Sequence, residues 1–133
     1  MTRASILHTV PSPEEARVFL ARARQFQSDA DVEAVSDTGR ELLLHQASVA
    51  ACDAVLAVAG VRVVGDEGGH ALRLSETVSR LGLDEDVADA LTTTRRLRNA
   101  SAYGAGIVIG HQVEESGEAV DHLIEAVTLF MGD

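Results

Sequence analysis

Apolar positions recur at helical spacing through most of this chain, in five segments closed off by glycines or capping residues. Ser12-Pro13-Glu14-Glu15 opens the first: Ser12 can cap, Pro13 suits the first helical position and Glu15 completes a capping box. Val18, Phe19, Ala23 and Phe26 then form an apolar stripe, which predicts a helix over 13–29. A second helix is predicted over 37–59, stopping at Gly60. From Ala47 to Ala59 it is apolar nearly all round, the pattern of a central buried helix.

Gly65-Asp66-Glu67-Gly68-Gly69 reads as a loop. The third helix, over 70–81, carries Ala71, Leu74, Val78 and Leu81 and ends at Gly82. The fourth, over 84–103, begins with acidic residues where the helix dipole favours them. Gly104, Gly106 and Gly110 bracket Ile107-Val108-Ile109, a packed linker rather than a strand, since no partner strand is evident. The last helix, over 114–131, carries Val120, Leu123, Ile124, Val127 and Phe130. The expected architecture is a single all-α domain, an antiparallel bundle of four to five helices.

Composition fits that reading. Among 133 residues, 46% are hydrophobic and only 3% aromatic, so the core must be built from Ala, Val and Leu. The net charge of −10 opposes a broad phosphate-tracking surface, although a local arginine cluster can still hold one or two phosphates. Cys52 is the only cysteine, which excludes an intrachain disulfide and a cysteine-based zinc site; its apolar surroundings predict a buried, inert thiol. The N-terminus shows no secretory pattern, and no apolar run reaches the roughly 18 residues of a membrane span, so the expectation is a cytoplasmic protein without a membrane segment.

Chemistry concentrates in one segment. Arg95, Arg96 and Arg98 fall within four positions beside Asn99, the only asparagine, and Tyr103, the only tyrosine. At 100° per residue, Val87, Leu91, Thr94, Arg98 and Ala102 share one face, which aims Arg98 inward. A buried guanidinium requires an anion, and Asp53, in line with Gln46 on the second helix, is the expected partner. His45 reads as a hydrogen-bonded core residue and His70 as a helix-start cap or a site residue, while His111 and His122 lack metal-ligand spacing. Thr92-Thr93-Thr94 has no base beside it and reads as ordinary helix surface. Gly65-x-x-Gly68-Gly69 lacks the lysine and preceding strand of a phosphate loop. No motif calls for a cofactor or a metal.

Leu97-Arg98-Asn99-Ala100-Ser101-Ala102-Tyr103-Gly104 resembles the signature of the HEPN superfamily (higher eukaryotes and prokaryotes nucleotide-binding): arginine, often asparagine, then histidine after four to six residues. Ala51-Cys52-Asp53-Ala54-Val55-Leu56-Ala57 resembles the family's central helix, and Gly69-His70-x-x-Arg73-Leu74 the start of the next; the resemblance spans about residues 40–131. It implies a symmetric homodimer with the signature at the interface, and in ribonuclease members a metal-independent cleavage by arginine and histidine. Here Arg98 and Asn99 match, but Tyr103 stands where the histidine belongs, and tyrosine, with a pKa near roughly 10, is a poor base at neutral pH. The first expectation is therefore a non-catalytic dimer that binds a nucleotide, a short RNA or a protein partner through Arg98, Asn99, Tyr103, Arg95 and Asp53. The resemblance sets it in a toxin–antitoxin or defence context, with a nucleotidyltransferase-type protein as partner. Two alternatives stand beside it: a ribonuclease using Arg98 and Tyr103 with His70 as a displaced histidine, and a structural or partner-binding bundle in which Arg98 is a buried tie.

Overall fold

The computed structural model describes residues 2–65, 67–102 and 110–132, and all of their side chains except those of 98–102. Five helices make an all-α bundle: α1 (Pro13–Ala30), α2 (Asp37–Ala59), α3 (Gly69–Leu81), α4 (Glu85–Ala102) and α5 (Gly110–Met131). A two-stranded antiparallel ribbon of β1 (Ser5–His8) and β2 (Val61–Val64) accompanies them, with Ser5 opposite Val64 and His8 opposite Val61. The last helix begins at Gly110, earlier than the predicted 114. The linker expected at Ile107-Val108-Ile109 lies outside the described residues.

The helix starts obey the capping chemistry. Ser12 Oγ accepts from the Glu15 amide at 3.1 Å, and Ser36 Oγ from the Gly39 amide at 3.1 Å. Between α1 and α2, Arg40 donates to the carbonyls of Ala30 (3.1 Å), Val32 (3.3 Å) and Glu33 (3.3 Å), so one guanidinium holds the connecting turn.

Helix α2 is the hub, packed against each of the other four helices. Ala47, Ala50, Ala51 and Ala54 are buried along it with Leu44, Val55 and Leu56, and these small side chains let neighbours approach from every direction. By length and composition it is also the one described helix able to cross a membrane, but over half of that stretch is buried inside the bundle. Leu20 of α1, Leu91 of α4 and Leu123, Val120 and Val127 of α5 complete the core. The predicted buried central helix is thus the observed one.

The ribbon was not predicted, because its strands are four residues each and only Val61-Arg62-Val63-Val64 is rich in β-branched residues. It forms because α2 ends abruptly. Gly60 takes φ +72°, and a Cβ there would lie 2.8 Å from Pro11 Cγ, so the chain turns where only glycine fits. The Thr9 amide then donates to the Gly60 carbonyl at 2.8 Å, bringing the N-terminal segment alongside β2.

Candidate functional site

The sequence-predicted polar residues converge in part where α2, α3 and α4 meet. His45 on α2 is buried, and His70 stands in the first turn of α3 with its ring edge-on to His45, the centroids 5.1 Å apart at 85°. One turn further along α3, Arg73 reaches back to α2, and Arg95 approaches from α4. These side chains, with Ser48, Cys52 and Leu91, line a void of about 20 Å³, room for one water-sized group. Arg95, expected at a pocket rim, is half-buried, and its buried Nε has no hydrogen-bond partner among the described residues. A buried guanidinium N–H left in that state favours an incoming acceptor.

The start of α3 is shaped by Gly68 and Gly69. Gly68, in the N-cap position at φ +79°, makes no side-chain cap, so the first amides of α3 are not tied by a capping side chain. A Cβ on Gly69 would come within 3.1 Å of Arg73 Nη1, so the glycine leaves room for that guanidinium to lie over the helix start.

Asp53 is met by Arg73, whose Nε donates to Oδ1 at 3.1 Å; the partner expected for it, Arg98, has a side chain outside the described residues. Asp53 faces α3, and the first long cation of α3 reaches it. Gln46, expected on the same face, is exposed. Burial still raises the Asp53 carboxyl above its usual range, with the charges of Arg73 and Arg22 opposing that rise. Arg98 and Asn99 lie within the span of α4, their side chains beyond description, and Tyr103 falls outside the described residues.

Burial pushes the Cys52 thiol up from 9.0 to about 12, so it stays protonated and inert, as its apolar surroundings suggested. Among the described residues no group of three His, Cys, Asp or Glu is placed to hold a metal ion.

One polar cluster escaped the sequence reading. Glu41, in the second turn of α2, is fully buried; Ser116 Oγ of α5 donates to its Oε2 at 2.9 Å, and Thr94 Oγ1 of α4 lies 2.9 Å from Ser116 Oγ. Thr94 also reaches the Ala90 carbonyl at 3.0 Å. Desolvation raises Glu41 from 4.5 to about 7, against the pull of the Ser116 hydrogen bond. Its Oε1 has no partner among the described residues, which is why ionisation there is costly. The only signal in the sequence was position: Glu41 precedes Leu44 and Ala47 on the buried face of α2, and Thr94 lies on the inward face of α4.

Neither a protein-family model nor a curated protein matches this sequence.

Proposed function

We propose that the chain is a binding module for a phosphate-bearing ligand, a nucleotide or the end of a short RNA, held where α2, α3 and α4 meet. The observation that carries this reading is the buried Nε of Arg95, without a partner among the described residues, in a void lined by His70, with the glycine-opened start of α3 beside it. The void admits a single oxygen, so one phosphate oxygen would sit against Arg95 while the rest of the ligand lies outside. The net charge of −10 limits the contact to such a local cluster. The resemblance of residues 97–104 to the HEPN signature adds Arg98 and Asn99, one turn further along α4, and Tyr103 as further ligand-binding residues of a homodimer. It also supplies a nucleotidyltransferase-type protein as partner.

A second reading has one observation in its favour: His70 shares the void with Arg95, so a histidine stands near an arginine although none follows Arg98 at the family spacing. In that reading the protein cleaves RNA, with His70 as general base.

Titration of adenosine monophosphate and a labelled short RNA tests both readings. Binding to the wild-type protein should weaken about tenfold in Arg95→Gln, the loss of one charge-assisted hydrogen bond. Sedimentation of the same samples should show one species near twice the 14.0 kDa chain mass. Binding with no RNA cleavage supports the module; cleavage lost in His70→Ala supports the enzyme. Absence of binding by both ligands would refute both.

A further inference from the structure

A second and larger cleft lies on the other side of Arg73, between the ribbon, α1 and α2. Its volume is about 310 Å³, at the small end of ligand pockets. The Asp53–Arg73 pair lies in its wall, each side chain about a quarter exposed. Glu15 of α1 and Arg62 of β2 also line it, and Phe19 and Leu56 supply an apolar surface. The cleft therefore presents two carboxylates and two guanidiniums beside an apolar patch.

That balance selects among ligands. An anion such as a phosphate would meet Glu15 and Asp53, and a polyamine would meet Arg62 and Arg73, so a ligand of one sign is repelled by half of the charges it touches. A molecule with one charge of each sign, held a few bonds apart, finds a partner for both. The volume suits a small metabolite and not a folded segment.

We propose that this cleft binds a free amino acid with an apolar side chain, its ammonium toward Asp53 and Glu15, its carboxylate toward Arg62 and Arg73, and its side chain against Phe19 and Leu56. Asp53 supports the ammonium end independently, because Arg73 meets it through a single bond of 3.1 Å and does not offset its desolvation. The site is independent of the phosphate reading: the two share only Arg73.

Calorimetric titration with L-leucine, 4-methylpentanoate and 3-methylbutylamine tests it, since the last two each lack one charge of the first. L-leucine should bind and shift the amide resonances of β2, and each single-charge analogue should bind about tenfold or more weakly. Glu15→Gln and Arg62→Gln alter exposed side chains, glutamine serving a capping box as glutamate does, and each should weaken leucine several-fold. In Arg62→Gln the amine should bind as before, because it never used that guanidinium. The proposal is overturned if none of the standard free amino acids binds, if either analogue matches leucine, or if inorganic phosphate displaces it.

Discussion

Glu41 and Asp53 sit on the same helix, both lose solvent on folding, and both are raised above the usual carboxylate range, yet their surroundings differ. Asp53 is answered by a guanidinium and borders an open cleft, so it keeps both a counter-charge and water. Glu41 is answered by hydroxyls alone in a closed core, and one of its oxygens has no donor among the described residues. A counter-charge opposes the rise that burial imposes on a half-buried carboxylate, and a hydroxyl partner in a dry site opposes it less. The two residues therefore serve different ends. Asp53 keeps a counter-charge beside an open cleft, and Glu41 holds its proton up to about pH 7.

The largest test of that contrast is the pH dependence of stability. The unfolded chain releases the Glu41 proton near 4.5, whereas the folded protein holds it to about 7. Between those values the folded state binds more protons than the unfolded one. The Glu41 contribution is therefore fully present below pH 4.5 and is lost as pH rises through 7. The loss should be on the order of 3 kcal/mol by pH 8. Urea denaturation from pH 5 to 8 should show it, and Glu41→Gln, which cannot ionise, should remove that part of the slope. A wild-type slope that survives in Glu41→Gln would place the proton elsewhere.

A smaller effect is expected at the other carboxylate. Arg73→Gln removes the counter-charge of Asp53 but leaves the carboxylate a quarter exposed, so water replaces part of the lost interaction. The destabilisation should be on the order of 1–2 kcal/mol at pH 7, and the Asp53 carboxyl should rise further. Urea denaturation at pH 7 reads the first quantity, and carbon-detected titration of the Asp53 carboxyl reads the second. If the Asp53 titration does not move, Arg73 is not its electrostatic partner in solution.

The contrast also marks what could be seen in the chain beforehand. Ala47 to Ala59 declared a central helix because an unbroken apolar run has no solvent face to offer, and the caps Ser12 and Gly60 act through local geometry alone. The ribbon was not legible, since β1 and β2 are short and owe their pairing to the turn at Gly60, a tertiary circumstance. At the candidate site, His70 and Arg95 were legible as polar groups in unusual places. Their sharing of one void with Arg73 was not, because it depends on how three helices meet. The Arg73–Asp53 pair was not legible for the same reason: periodicity gives the face of a helix, not which neighbour covers it. Glu41 was missed because a charged residue in the second turn of a helix normally faces solvent, and only the packing of Ser116 and Thr94 over it reveals otherwise.

The finest test concerns the hydroxyls themselves. When Glu41 is protonated, the chain can run from its Oε2 to Ser116, on to Thr94 and finally to the Ala90 carbonyl; when it is ionised, Thr94 donates to Ser116 and Ser116 to Glu41. The relay thus reverses with the charge and leaves no hydroxyl proton stranded in either state. Ser116→Ala removes its middle member. Both forms lose a partner, but a hydrogen bond to the charged carboxylate is worth more than one from the neutral acid, so the Glu41 titration should move upward from about 7 while stability at pH 5 changes less than stability at pH 8. The difference between the two pH values should be about 1 kcal/mol, the worth of one such bond. Equal losses at both would mean that Ser116 acts through packing alone, and a downward shift would mean that water enters the space left by the hydroxyl and solvates the carboxylate better than Ser116 does.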